Sequence, residues 1–186
     1  MRIVLASKSP RRQQLMKLVS SDFIVASEDI NEESSYKLSP IEAVEDIAKR
    51  KGEAVDKLYP NDLIISADTI VVIDNQIIGK PVDKKDAIRI LKLLSDRVHY
   101  VHTGFRIKYL EKEVISHVTS EVHFNKLTEE LIGKYVASGS PLDKAGAYGV
   151  QDNKEYPLIK KIIGSTDNVI GFPIKEIKEV IEQIKK

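Results

Sequence analysis

The chain contains no cysteine, which excludes a disulfide framework, thiol catalysis and any thiolate-bound metal. Carboxylates, histidines and carbonyls are left as the ligands it can offer a cation. It also lacks an excess of either charge. The 29 basic and 28 acidic residues give a net charge of +1, too little for a whole-molecule field that would gather nucleic acid or an anionic membrane. Any polyanion must be held locally, and no nucleic acid polymer is expected as a partner. No apolar run reaches the roughly 20 residues that a bilayer requires, so no membrane role is expected. Met1 to Ala6 runs straight into Ser7-Lys8 without a long apolar stretch, the start expected of a cytoplasmic protein. Internal repeats and low-complexity linkers are missing as well. What remains is an ordinary globular composition of 186 residues, 42% hydrophobic and 31% charged, expected to form one domain over 1–186.

The pattern along the chain is α/β. Arg2 to Ala6 is a short branched apolar run that meets a helix-start signal at once, as a buried strand feeding a helix does. Phe23 to Ala26 makes a second short strand. Ser39-Pro40-Ile41-Glu42 combines a capping serine, a proline at the first helical position and a back-bonding glutamate, and opens a helix to about Lys57. Leu63 to Ala67 and Thr69 to Ile73 flank Asp68 in a nearly continuous apolar stretch, suited to a strand buried on both faces. Asp74-Asn75 turns the chain into Gln76-Ile77-Ile78, Gly79-Lys80-Pro81 breaks the pattern, and Asp83 caps a helix through Leu94. Tyr100 to Tyr109 and Glu113 to Phe124 form a hairpin around Leu110-Glu111-Lys112. Thr128 caps a helix ending near Gly139, and Asp143 to Gln151 is too irregular for a regular element. Gly164-Ser165 and Gly171-Phe172-Pro173 flank Asn168 in a loop, and Ile174 to Lys186 is an amphipathic closing helix.

Two places break the expected chemistry. In Ser9-Pro10-Arg11-Arg12 the serine caps a helix and the proline suits its first position, yet two arginines fill the first turn. That end already carries partial positive charge, so each cation is unfavourable by about a few tenths of a kcal/mol unless an anion compensates. Free N–H groups, the hydroxyls of Ser7 and Ser9 and two guanidinium forks match the oxygens of a polyphosphate. The plainer alternative is a solvated basic turn. The glycine-rich P-loop pattern is absent, so a Walker-type ATPase is unsupported.

Asp68 is the second break. A charged carboxylate in a run that is otherwise apolar apart from Ser66 and Thr69 is costly unless paired or metal-bound. Hydrogen bonds to strand-end amides would also satisfy it. With a second carboxylate it becomes a magnesium site, and Glu28, Asp29, Glu32 and Glu33 supply candidates in what is otherwise a solvated acidic loop. Lys51, on a helix, and Lys80, between glycine and proline, each read alone as surface lysines; Gly79 lets backbone approach a ligand beside Lys80. His99 and His102 are three apart, which on a strand points them to opposite faces and argues for structural or surface roles. Lys144 to Gln151 joins small residues, a tyrosine and an amide, suited either to reading a planar base or to packing as a loop.

In order along the chain, Leu5 to Arg12, Ser66-Ala67-Asp68-Thr69, Gly79-Lys80-Pro81, Lys144 to Gly149 and Asn168 to Pro173 closely resemble the Maf family of nucleoside triphosphate pyrophosphatases. Five separated motifs in the right order span nearly the whole chain. The resemblance implies a two-lobed mixed sheet flanked by helices, similar to the inosine triphosphate pyrophosphatases, with a cleft between the lobes and a homodimer as the assembly. It implies cleavage of a nucleoside triphosphate to monophosphate and pyrophosphate with magnesium or manganese. The Ala-Asp-Thr strand motif with Lys-Ala-Gly-Ala-Tyr-Gly is similar to the dTTP/UTP branch. The 7-methylguanosine triphosphate branch carries Ser-Asp-Gln and a different later loop.

Carried over by position, Asp68 matches the essential acidic residue and Glu32 the metal-site glutamate, the pair expected to be catalytic and to hold the metal. Ser7, Arg11, Arg12, Lys51 and Lys80 match the phosphate-contacting set, which Ser9 joins. Gln151 matches the glutamine of the late loop, and Thr69 and Lys144, in matched motifs, are expected beside it at the substrate. Asn31 stands where the family commonly has aspartate, and Asp152 where glycine is usual. The rivals are a pyrophosphatase for modified purine triphosphates and a nucleotide-binding regulator of septum formation that does not hydrolyse.

Overall fold

The computed structural model describes residues 1–185. β1 (Ile3–Ala6) lies between β2 (Ile24–Ala26) and β3 (Leu63–Ile73), parallel to both. From β3 the sheet continues antiparallel through β5 (Val98–Tyr109), β6 (Lys112–Phe124) and β7 (Ile159–Ile163), and the short β4 (Gln76–Ile78) folds back on the far end of β3. Asp74 and Asn75, both in left-handed conformation, make the two-residue turn between β3 and β4, the geometry that follows the twist of a hairpin. The helices are α1 (Pro10–Met16), α2 (Pro40–Asp56), α3 (Lys84–Leu94), α4 (Glu129–Ala137), α5 (Thr166–Ile170) and α6 (Ile174–Lys185). Among the described residues no helix is long and apolar enough to cross a membrane.

The strand and helix starts follow local chemistry. Ser9, Asp83 and Thr128 each accept a backbone N–H three residues on, and Glu42 accepts from the backbone of Ser39 at 3.1 Å, so the expected caps form. Departures lie where the pattern is weak. Ile159–Ile163 was not expected as a strand: it is short, and Lys160 and Lys161 are exposed, as suits an edge. α5 occupies the loop expected around Asn168, started by Ser165 and closed by Gly171 at φ 115. The irregular tract after α4 holds three 3-10 turns, Ser140–Asp143, Ala145–Ala147 and Val150–Lys154. The hairpin turn is two residues rather than three, since Tyr109 pairs with Lys112. The closing helix, expected to Lys186, is described to Lys185; Lys186 lies outside the described residues.

β3 is buried on both faces because different layers cover them. Towards α2, Ile64 packs with Val4 and Val55, and Ile70 and Val72 pack with Val44. On the other face Leu63, Ile65 and Ala67 join Met16, Phe172 and Ile177, whereas Val71 and Ile73 join Ile90, Leu91 and Tyr135. Thr69 stands where those two clusters part. α2 lies hard against β5, because a Cβ on Gly104 would come within 2.5 Å of the Val44 carbonyl oxygen. Its C-terminal end is tied down by buried Arg106, which donates to both oxygens of Asp56 at 2.9 and 2.7 Å and to Glu113 at 2.6 Å. Burial pushes the Asp56 carboxyl up, but the hydrogen bonds from Arg106 and Lys108 outweigh it and hold it below its ordinary value.

The two strand histidines are structural. His99 Nε2 lies 2.8 Å from the Tyr148 hydroxyl and His102 Nδ1 2.8 Å from that of Thr119. Burial, with a smaller contribution from His123, pushes the His99 imidazole down to about 3.

Two outcomes are expected. Gly104→Ala should lower unfolding free energy by about 1–3 kcal/mol, the scale of overpacking against a backbone that cannot withdraw, read by urea denaturation. His99 is neutral in the fold and protonates near 6.5 when unfolded. Its contribution is therefore complete above pH 6.5 and is lost as pH falls towards 3, by about 1.4 kcal/mol per pH unit at the steepest. Denaturation at pH 7, 6 and 5 should show this slope, and His99→Phe should flatten it.

Candidate active site

Along one edge of β3, β1 pairs with residues 63–65 and β4 with residues 71–73. The intervening edge, Ser66 to Ile70, is therefore left facing a cleft of about 460 Å³. Such a gap, where the chain leaves one strand and returns on another, is where open α/β sheets bind ligands. Side chains alternate on a strand, so Asp68 and Thr69 reach the cleft from opposite faces of the sheet. The chain leaving β1 brings in Ser7 and Ser9, and the chain leaving β4 brings in Lys80. Every site residue expected from the sequence, including Gln151 and Lys144 from the late loop, lines this one cleft.

The carboxylates Asp68 and Glu32 converge on one cation. Lys51 Nζ, from the middle of α2, donates to Asp68 Oδ1 at 2.6 Å and lies 2.7 Å from Glu32 Oε1. Tyr36 donates its hydroxyl to the other Glu32 oxygen at 2.9 Å. Burial pushes the Glu32 carboxyl up, but the hydrogen bonds from Lys51 and Tyr36 and the nearby charge of Lys80 outweigh it and hold it below its ordinary value. Among the described residues no group of three or more histidine, aspartate or glutamate side chains is placed to cage a metal. Two hard carboxylates aimed at one cationic point do fit magnesium or manganese, which use one or two carboxylates and take the rest of their shell from water and phosphate. Of the acidic loop, Glu28 and Asp29 also border the cleft, and Asp29 pairs with Lys8 at 2.9 Å.

The two arginines at the start of α1 are engaged differently. Arg11 Nη1 pairs with Asp143 at 2.9 Å, so a protein carboxylate supplies the anion that its helix-end position calls for. Arg12 turns inward: Nε donates to the Gly171 carbonyl at 2.9 Å and Nη2 to the Thr69 hydroxyl at 3.1 Å. Burial, the largest influence on it, draws its guanidinium below the ordinary value. Ser7 and Ser9 shape the turn between β1 and α1, Ser9 N–H donating to Ser7 Oγ at 3.2 Å.

Lys144 is buried and braced rather than free, its ammonium donating to the carbonyl and hydroxyl of Ser140 and to Asp143 at 2.8 Å. It thereby holds Asp143 opposite Arg11. Asp152 accepts from Tyr135 and Ser140, both at 2.7 Å, and so pins the loop in which exposed Gln151 borders the cleft. Beyond Thr69 the wall turns apolar, with Val71, Val101, Tyr148, Val169 and Ile170. Neither Tyr36 nor Asp143 was expected at the site: Tyr36 reaches Glu32, four residues back, from a 3-10 turn, Ser35–Lys37, that no helical pattern in the sequence marks, and Asp143 is 132 residues from Arg11.

Comparison with known proteins agrees with this geometry. A family model described as "Maf-like protein" matches residues 2–184. A dTTP/UTP pyrophosphatase of Dictyoglomus turgidum is 44% identical over 184 residues, covering 97% of this chain and 95% of that protein. One of Symbiobacterium thermophilum is 41% identical over 181 residues, covering 97% and 93%. A solved structure of the Staphylococcus aureus Ham1 protein matches with a TM-score of 0.58 at 14% identity, covering 99% of this chain and all of that one, a likeness of fold alone. The fold is thus a mixed α/β arrangement, a seven-stranded sheet flanked by helices, similar to that of the Ham1 protein. Family model and relatives alike extend over almost the whole sequence, and the chain belongs to the Maf family.

Proposed function

We propose that this chain is a nucleoside triphosphate pyrophosphatase that cleaves dTTP and UTP to the monophosphate and pyrophosphate. The observation that carries the proposal is the convergence of Asp68 and Glu32 on one cationic point, beside Arg11, Arg12 and Lys80 in the same cleft. A protein that only bound phosphate would need the cations, but has less use for two carboxylates that repel it. The names of the relatives, dTTP/UTP pyrophosphatase, support the pyrimidine substrates, and the apolar wall from Val71 to Tyr148 suits a planar base.

In this mechanism Arg11, Arg12, Lys51 and Lys80 hold the polyphosphate, with Ser7, Ser9 and the N–H groups at the start of α1 on its oxygens. Thr69, Gln151 and the loop braced by Lys144 contact the nucleoside. Asp68 and Glu32 would hold a magnesium or manganese ion, whose chemistry there would be neutralisation of charge on the phosphate oxygens. Asp68, whose Oδ1 accepts from Lys51, orients water and takes its proton at Oδ2. The water oxygen bonds to the α-phosphorus as the bond to the bridging oxygen breaks, and pyrophosphate leaves in line. The same reading takes residues 1–186 as a single domain that acts as a cytoplasmic homodimer.

Pyrophosphate release should be measured with dTTP, UTP, CTP, GTP and 7-methyl-GTP, with magnesium or manganese and again after chelation. dTTP and UTP should be the fastest, and chelation should stop release. Asp68→Asn should lower kcat by about 10²–10⁴-fold, the share of a general base, while nucleotide binding is retained. Undiminished turnover in that variant would remove Asp68 from catalysis, and inertness on every triphosphate would favour the non-hydrolysing binder.

A further inference from the structure

β3 and β5 set Thr69 directly opposite Thr103. Thr103 is fully buried, and its hydroxyl donates to the backbone carbonyl of Asn168 at 2.9 Å. A carbonyl has no proton to return. The Thr69 and Thr103 hydroxyl oxygens lie 2.9 Å apart, and each hydroxyl carries a single proton. Since that of Thr103 is committed to Asn168, the bond between the two threonines has Thr69 as donor. The Thr69 oxygen then meets Arg12 as an acceptor only, receiving Nη2 at 3.1 Å while Nε of the same guanidinium donates to Gly171. Gly171 N–H in turn donates to the Asn168 carbonyl at 2.9 Å, so both jaws of the clamp on Arg12 trace back to the end of α5.

We infer that Thr103, which lies outside the cleft lining, is a positioning residue for the reaction. By accepting the Thr69 proton it fixes the direction of that hydroxyl and, through it, the orientation of Arg12 towards the substrate. Without this acceptor the Thr69 hydroxyl rotates freely, and one of its orientations sets O–H against the N–H of Arg12, two donors facing each other. Asn168 is not stranded by the change, since its carbonyl keeps the bond from Gly171. The inference rests on the pyrophosphatase proposal above and adds to it a residue whose effect is on hydrogen-bond polarity rather than on contact with the substrate.

The test is a double-mutant cycle on kcat/KM for UTP, with melting temperatures alongside. Thr103→Val, which keeps the shape and removes the hydroxyl, should lower kcat/KM about tenfold, the scale of one hydrogen bond to a charged group. Thr103→Ser should restore it. In a Thr69→Val background Thr103→Val should add less than about a twofold further loss, because the relay is already broken. Losses that multiply, as two independent packing defects would, overturn the inference, and so does a Thr103→Val enzyme with wild-type kcat/KM. Should Thr103→Val fail to fold, Thr103→Ala takes its place in the same cycle against Thr103→Ser. A wild type inert on UTP and dTTP contradicts the pyrophosphatase proposal, and this inference with it. An active wild type with a multiplicative cycle contradicts the Thr103 assignment alone.

Discussion

One ion pair organises this molecule: Asp68, a carboxylate in the middle of an apolar strand, is held by the ammonium of Lys51 at 2.6 Å. A buried charge stripped of its partner costs about 3–5 kcal/mol, so the rest of the fold must deliver Lys51 to that point. The approach of α2 over Gly104 and the bidentate tie from Arg106 to Asp56 at its far end do this. They fix the helix at two places, on either side of Lys51. Glu32 shares the same ammonium, which brings the loop after β2 across the cleft and closes the acidic centre.

The cleft is largely paired within itself before any ligand enters. Arg11 is matched to Asp143 and Lys51 to Asp68 and Glu32, while Arg12 is satisfied by a carbonyl and a hydroxyl. At Arg11 and Lys51 a phosphate or a divalent ion arriving here would exchange one charged partner for another. The departure from the family pattern at Asp152 belongs to the same economy of polar groups. Its carboxylate accepts from Tyr135 and Ser140 and lies 3.8 Å from the Lys144 ammonium, which anchors the loop and sets a cation against its charge where Gln151 borders the cleft.

Much of this was legible in the sequence because it is local. The caps at Ser9, Asp83 and Thr128 and the two-residue turn at Asp74-Asn75 depend on neighbours within a few positions, and all formed. Asp68 and the arginine pair stood out because each violates a local rule, a charge in an apolar run and cations at the positive end of a helix. Local rules failed at Ile159–Ile163, whose pairing is supplied entirely by β6. They also failed at α5, a single turn that needs Gly171 and the neighbouring strands to persist.

The alternation of strands and helices, the family likeness and the residue types that the chemistry requires can all be read from the order of amino acids. Their partners cannot, because Arg11 meets Asp143, Arg12 meets Gly171, and Thr69 meets Thr103 across separations of 132, 159 and 34 positions. The arginines at the start of α1 called for an anion and left its source open. The fold answers with a carboxylate for one of them and a clamp for the other, since which groups share a cleft depends on where β1 and β4 stop pairing with β3, and that is settled by the assembled sheet.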